Sequence, residues 1–382
     1  VSGSLPIRRK SSLVGVADPT DHGRERSWCR GYTHVVVATN DLRPADSSTV
    51  LERARGLLGS SVFDDSALRR WLRALPSVDE VGADAQARAA TALSVRGRSE
   101  ELALELAISM VDLTTLEGCD TPSAVRSLCA KARFPGHPDD PDSNEVPCPP
   151  VAAVCVYHDM VPTAVRALAG SQVKIASVSA AFPSGRAALH VKLADVECAV
   201  NAGADEIDMV IDRGALLSGR YAQVFEEILA VRAVCDRGAA DGERKGAVHL
   251  KVILETGELG SYDDIRRAAW LSMLAGADFV KTSTGKISPA ATPSSTLLLC
   301  QAVRDWHALT GQVIGVKPAG GIRTAKQAIG YLVLVREILG DAWLTPDRFR
   351  FGASGLLDDI LLRRKRIGPG PHIPERHVPS TT

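Results

Sequence analysis

The sequence predicts a (β/α)8 barrel, and three observations predict it. Eight short apolar runs lie between about residues 104 and 362, each separated from the next by an amphipathic stretch. No GxGxxG turn follows the first run, where a doubly wound open sheet would usually carry one. The tetrad Ala-Gly-Ala-Asp occurs at 202–205 and again at 275–278, each time at or just before an apolar run, as recurring helix-to-strand turns of one barrel would give.

The elements follow in order. Residues 1–55 mix Arg, Ser, Gly and His without a sustained period and are expected to form a disordered extension. Asp18, Asp21 and Glu25 argue against a transit peptide, and no apolar h-region marks a secretory signal. The barrel domain is expected over 56–367. It opens with extra helices over 56–108, placed to cover the bottom of the barrel. Strands are expected at Met110–Thr115, Val151–Tyr157, Val173–Ser179, Glu206–Ile211, Val248–Leu254, Asp278–Thr282, Val313–Lys317 and Arg350–Ala353. Between the third and fourth, Leu189, Leu193, Val196 and Val200 share one helix face. Gly203 ends that helix, because glycine takes the left-handed position without a Cβ penalty. The stretch Gly136–Pro150 precedes the second strand and reads as a tolerated insertion on the face away from the active end. Arg363–Arg366 reads as a solvated helix end, and 368–382, rich in Pro and Gly, as a flexible tail.

Composition excludes several classes. Lys+Arg and Asp+Glu balance at 45 each, so no net field attracts nucleic acid or an anionic membrane. No run of about 18 apolar residues is present to span a bilayer. The 8 cysteines form no CxxC pair and read as reduced thiols of a cytoplasmic protein.

Catalytic groups of such a barrel sit at the C-terminal ends of its strands. The run ADFVKTSTGK (277–286) puts Lys281 at the end of an apolar strand, and VIGVKPAGG (313–321) puts Lys317 in the equivalent place on the next. In EIDMVI (206–211), period-2 alternation sets Asp208 opposite Ile207 and Met209, hence inside if those two face the helices. Asp112 enters the first strand in the same way, within MVDLTTL (110–116). A lone lysine near a strand end is usually a surface snorkel. Two on neighbouring strands, ~4.8 Å apart, bring their ammonium groups within ~5–6 Å. At an effective dielectric of ~20 the repulsion is about 3 kcal/mol. With desolvation added, one amine is left partly unprotonated near neutral pH and able to attack a carbonyl. Asp208 would then move protons on and off a substrate hydroxyl, directly or through a water. The structural alternative for Asp208 is an ion pair with a lysine such as Lys251. Gly-rich turns, Thr284-Gly285-Lys286, Ala319-Gly320-Gly321 and Ala353-Ser354-Gly355, end strands six to eight. Exposed N–H groups there, with Lys286 among them, favour a phosphate-bearing substrate.

Together with AAVCVY (152–157), FPSG (182–185), GADEIDMVI (203–211), LKVILETGEL (250–259), VKPAGGIRTA (316–325) and FRFGAS (349–354), these motifs resemble the deoxyribose-phosphate aldolase family, in its order, over about Leu104 to Leu362. KTSTGK with KPAGG is the specific pair. The N-terminal helices and the insertion before strand two resemble the family's longer branch. The resemblance implies a class I carbon–carbon lyase with no metal or organic cofactor. Its reaction is the reversible cleavage of 2-deoxy-D-ribose 5-phosphate to D-glyceraldehyde 3-phosphate and acetaldehyde, in deoxyribonucleoside catabolism. It implies Lys281 as the Schiff-base lysine, Lys317 as the second lysine that lowers its pKa, and Asp208 as the acid of a water-assisted proton relay. Asp112 and Thr114 match groups near the substrate hydroxyls. Gly285, Lys286, Gly320, Gly321 and Ser354 match the phosphate site, with Thr284 and Gly355 in the same turns. Cys155 matches a pocket cysteine without a required catalytic role. Two positions depart from the family pattern: Gly355 stands where a second Ser or a Thr is common, and His158 where Pro is frequent.

Rival readings share parts of the pattern. Another Schiff-base sugar-phosphate aldolase would use the same amine chemistry. A metal-dependent aldolase needs His and carboxylate ligands at strand ends, whereas His158, His190, His249 and His307 are dispersed. A non-catalytic sugar-phosphate-binding barrel would have little reason to keep Lys281, Lys317 and Asp208 together. The expected partners are small sugar phosphates and aldehydes, not nucleic acid or membrane. Relatives of this fold often dimerise, so a homodimer is expected, although no patch in the sequence is diagnostic of one.

Overall fold

The computed structural model describes residues 46–93, 95–136, 148–240 and 247–367. Eight parallel strands form one sheet: β1 Val111–Thr114, β2 Ala153–Tyr157, β3 Lys174–Ser179, β4 Glu206–Val210, β5 His249–Ile253, β6 Phe279–Lys281, β7 Gly315–Lys317 and β8 Phe351–Ala353. Their order is β7-β6-β5-β4-β3-β2-β1-β8. The two ends of that order meet, because Val316 bridges Phe349 and Ala319 bridges Gly352, both in parallel. The sheet is therefore a closed barrel, and each strand expected from the sequence is present in slightly shorter form. Gly352 permits the closure: a Cβ there would lie 2.7 Å from the Ala319 Cβ and 3.1 Å from Lys317 Cε.

Helices α5 Pro122–Arg133, α6 Val161–Ala167, α7 Leu189–Ala202, α9 Tyr221–Ala240, α10 Tyr262–Leu274, α11 Pro293–Thr310, α12 Ala325–Leu339 and α13 Leu356–Ile367 follow the strands, with the short α8 Arg213–Leu217 ahead of α9. Their ends are set by local chemistry. Thr292 and Ser295 form a capping box at α11, with Pro293 in its first turn. Thr324 and Gln327 form another at α12. Gly203 closes α7 at φ 112, as the sequence predicts. The repeated tetrad has one physical role in both copies. Asp205 accepts the Ile175 N–H at 2.9 Å and Asp278 the Leu250 N–H at 2.7 Å, so each carboxylate ties its own strand to the start of the preceding one.

Four helices precede β1: α1 Ser47–Leu58, α2 Asp65–Arg73, α3 Glu80–Ala92 and α4 Arg98–Ser109. Here the structure corrects the sequence reading twice. Helix α1 begins inside the stretch assigned to a disordered extension running to residue 55. Asp46 caps it by accepting the Thr49 N–H at 2.8 Å, Gly59 ends it at φ 61, and Val50 and Ala54 are buried. The folded chain thus starts earlier than residue 56. Nor do these helices chiefly cover the bottom of the barrel. Their main contacts are with the outer ring: α1 and α2 on α9 and α10, α3 on α11 and α12, α4 on α12 and α13. Arg363 and Arg364, read as a solvated helix end, pair with Glu100 and Glu105 of α4 at 2.7 and 3.0 Å. Residues 1–45, 368–382 and most of the 136–150 insertion (137–147) lie outside the described residues. Among the described residues no helix is long and apolar enough to cross a membrane.

Candidate active site

The inside of the barrel is charged. Asp112 projects from β1, Glu206 and Asp208 from β4, Lys251 from β5, Lys281 from β6, Lys317 from β7, and Arg350 stands one residue before β8. All seven are buried, and Lys281, at 3% exposure, is the most accessible. The register explains the meeting. Asp208 lies beside Lys251 and Lys281 beside Lys317 across adjacent strands, and side chains of one parity share one face.

Asp208 is the hub. Its Oδ2 accepts from Lys281 Nζ and from Lys317 Nζ, each at 2.7 Å, and its Oδ1 accepts from Lys251 Nζ at 2.9 Å. Lys317 Nζ also makes an ion-pair contact with Asp112 Oδ2 at 2.5 Å. Arg350 bridges Asp112 at 2.6 Å and Glu206 at 2.8 Å, and Lys251 is bonded to Glu206 as well.

Burial and charge act differently on these groups. Burial alone would raise Asp208, but Lys251, Lys281 and Lys317 around it hold its carboxyl well below the usual range. Burial would lower Lys317, but Asp112 and Asp208 together hold it above the ordinary lysine value. Lys251 is raised in the same manner, by Asp208 and Glu206 against burial. Lys281 alone among the three goes down: burial lowers it, Asp208 opposes, and Lys317 adds to the fall. The two lysines named from the sequence do meet, and Asp208 meets both. Its pair with Lys251, the structural alternative, exists alongside them, so one carboxylate carries all three contacts.

Above this network a cavity of about 640 Å³ opens at the C-terminal ends of the strands. Among its walls are Thr114, Lys281, Thr284, Gly285, Lys286, Gly320, Gly321, Ser354 and Gly355, all expected from the sequence. The glycine-rich turns are close-packed. Gly320 sits at φ 76, and a Cβ on it would stand 2.8 Å from that of Ala290 and 2.9 Å from Gly285 Cα. Bare backbone is what fits there. Thr284 is held from below by Glu255, which accepts from its N–H at 3.1 Å and its Oγ1 at 2.5 Å. Thr284 Oγ1 in turn accepts the Lys286 N–H at 3.1 Å, and Lys286 Nζ pairs with Glu117 at 2.9 Å across the mouth.

Four expected residues stand apart from the cavity wall. Asp112, Asp208 and Lys317 are fully buried beneath it. Thr114, whose Oγ1 donates to the Asp112 carbonyl at 2.9 Å, reaches the wall where Asp112 does not. Cys155 is also buried, in an apolar cluster with Leu116, Ala176 and Val178, and of these Leu116 lines the cavity. Burial, with Asp208 nearby, pushes its thiol up. His158 is clear of this site and pairs with Asp195 at 3.1 Å.

Sequence reasoning did not bring in Glu206, Arg350 or Glu255, and it saw Lys251 only as a partner for Asp208. The signals exist. Glu206 shares the parity of Asp208, Lys251 interrupts an apolar strand, and Arg350 lies between two phenylalanines. The wall also includes Thr115, Glu117, Ile322 and Arg323. Among the described residues no group of three His, Cys, Asp or Glu side chains is placed to hold a metal ion.

Residues 106–339 match the model of the DeoC/LacD family aldolases. The chain is 45% identical to the deoxyribose-phosphate aldolase of Mus musculus over 261 residues, 66% of this chain and 78% of that one. It is 44% identical to that of Homo sapiens over 258 residues, with the same coverage. Among solved structures, a candidate deoxyribose-phosphate aldolase from Coccidioides immitis superposes with a TM-score of 0.54 at 30% identity, covering 75% of this chain and 99% of the other. A tetrameric deoxyribose phosphate aldolase from Aeropyrum pernix shares the fold, with a TM-score of 0.52 at 24% identity over 76% of this chain and 99% of that one. With its barrel, its buried lysines and this run of matched residues, the chain belongs to the DeoC/LacD family of aldolases.

Proposed function

We propose that this aldolase reversibly cleaves 2-deoxy-D-ribose 5-phosphate to D-glyceraldehyde 3-phosphate and acetaldehyde through an imine on Lys281. One observation carries the reading: of the four cations in this network, Lys281 is the one that lines the cavity, and the one lysine whose basicity the network lowers. Its neutral amine attacks the C1 aldehyde of the open-chain sugar, and the carbinolamine loses water to give a protonated imine. Asp208, bonded to the same nitrogen, relays protons to and from that hydroxyl, directly or through water. The C3 hydroxyl then gives its proton to Asp208, directly or through a water, as the C2–C3 bond breaks and its electron pair moves into the imine, leaving an enamine. Glyceraldehyde 3-phosphate departs, the enamine takes a proton at C2, and water releases acetaldehyde and the amine. Lys317 remains charged and returns Asp208 to its carboxylate form between proton transfers. The turns at 284–286, 319–321 and 353–355, with Lys286, hold the phosphate.

We place the reaction in the cytoplasm, on the thiols: Cys129, Cys155, Cys235 and Cys300 are buried and unpaired, the state a reducing compartment keeps. The test is incubation with 2-deoxyribose 5-phosphate, assay of both products, and borohydride reduction with peptide mass mapping. The expected adduct is on Lys281. An adduct on Lys251 or Lys317, or turnover with no adduct at all, sinks the mechanism.

A further inference from the structure

The buried network has a charge count that the chemistry depends on. Three carboxylates, Asp112, Glu206 and Asp208, face four cations that pair with them directly, Lys251, Lys281, Lys317 and Arg350. The set is neutral before Lys281 is counted. Protonating Lys281 therefore adds one positive charge, in excess of the carboxylates, at the buried foot of the cavity, which burial penalises. We propose that Glu206 and Arg350, which neither bond to Lys281 nor line the cavity, set the pH at which the Lys281 amine becomes nucleophilic. They are positioning residues, acting through the charge they give to the network. This inference rests on the imine reading of Lys281.

The groups around Lys281 all enter the balance. Asp208 bonds to it from β4 and Lys317 crowds it from β7, with Lys251 on β5 and Asp112 on β1 one contact further away. Cys155 faces it from β2 as a neutral thiol, since burial pushes that group up. His249, at the start of β5, stands by Glu206 at the half-buried end of the strand. Glu255 faces Thr284, with its two oxygens both engaged there.

Opposite signs follow for the two residues. Glu206→Gln removes a negative charge, so ammonium at Lys281 becomes still less favourable and its titration midpoint moves down. Arg350→Met leaves one negative charge in excess, which ammonium at Lys281 would neutralise, so the midpoint moves up. A unit charge ~10 Å away at an effective dielectric of ~20 is worth about one pH unit in either direction. The double variant restores the count, and its midpoint returns close to the parent's. Arg350→Lys keeps the charge while losing the two-carboxylate fork, and leaves the midpoint in place. A role confined to holding the barrel together would give no such pattern, because packing damage has no sign.

The test titrates the amine directly. Full-length parent, Glu206→Gln, Arg350→Met, Arg350→Lys and the double variant are labelled with trace acetic anhydride across a pH series without substrate. Acetylation of Lys281 is read by peptide mass. Opposite displacements with recovery in the double variant support the proposal. Midpoints that stay put, or that move the same way in both single variants, overturn it. If Arg350→Met does not fold, Glu206→Gln and the double variant still decide, since the first must fall and the second must recover. His249→Asn, labelled alongside, must leave the displacement of Glu206→Gln intact. The same preparations are treated with acetaldehyde and borohydride. An adduct on Lys281 with unmoved midpoints refutes the inference and leaves the imine reading standing. No adduct on Lys281 refutes both.

Discussion

Replacing Lys317 with Met removes the neighbour with which Lys281 shares one oxygen. Both nitrogens lie 2.7 Å from Asp208 Oδ2. They are therefore at most about 5.4 Å apart, where two unit charges at an effective dielectric of ~20 repel by about 3 kcal/mol. That repulsion disfavours ammonium at Lys281, so losing it favours ammonium, and the fraction of neutral amine near pH 7 drops about 100-fold. A second effect has the same sign: Asp208, released from Lys317, attracts the Lys281 ammonium undivided. The midpoint of imine formation should rise by about two pH units. The assay is the initial rate of borohydride-trapped imine with acetaldehyde, from about pH 6 to pH 10. Removing one partner of a buried pair costs about 3–5 kcal/mol of stability, so near-UV circular dichroism must first show a folded barrel. A folded variant whose rate falls at every pH with the midpoint unmoved would refute the electrostatic role. Lys317 would then act as a proton donor alone.

Three further outcomes follow from the geometry. Gly352→Ala places a methyl 2.7 Å from the Ala319 Cβ, and should lower stability by about 1–3 kcal/mol in a denaturant titration, with turnover falling as Lys317 is displaced. A disulfide reagent at about pH 8 should label exposed Cys119 and Cys198 in the native protein and spare Cys155, Cys129 and Cys235. Burial pushes the last two up to about 11 and about 12, and mass mapping reads the sites. Asp112, Glu206 and Asp208 are all held below ordinary carboxyl values, so the folded state binds fewer protons in acid than the unfolded chain. The stability they contribute is complete above about pH 4–5 and is lost as pH falls from there towards their depressed values. Thermal midpoints measured through that range should drop less steeply in Asp112→Asn than in the parent.

The barrel and its two strand-end lysines were legible because apolar strands make a charge conspicuous. Lys281 and Lys317 each end such a strand, and the alternation around Asp208 fixed its face. Lys251, Glu206 and Arg350 were harder to read for a physical reason. Parity says which side of a strand a residue occupies, not how far down the barrel it meets its neighbours. Glu206 and Arg350 lie at or before strand starts, where a charge ordinarily reaches solvent, yet each finds the other 2.8 Å away inside. The start of helix α1 was missed although Val50, Ala54 and Leu57 share one helix face and Asp46 ahead of them is a good cap, because the aperiodic stretch before it was carried on to residue 55. The wall residues Thr115, Glu117, Ile322 and Arg323 belong to loops whose course no periodicity specifies.

The staves of this cylinder are unequal. Strands β2 to β5 share long registers, whereas β6, β7 and β8 are three residues each, and the seam between β7 and β8 is held by two isolated rungs. The glycine-rich turns proposed to hold the phosphate rise from those same three short staves. An anion gripped there works as a hoop, drawing the cylinder tight where the chain itself ties it least. Glyceraldehyde 3-phosphate should accordingly slow deuterium uptake at the Gly320 and Gly352 amides, which bond across the seam to Gly352 and Pro318. Equal uptake with and without it would mean the rim is already rigid.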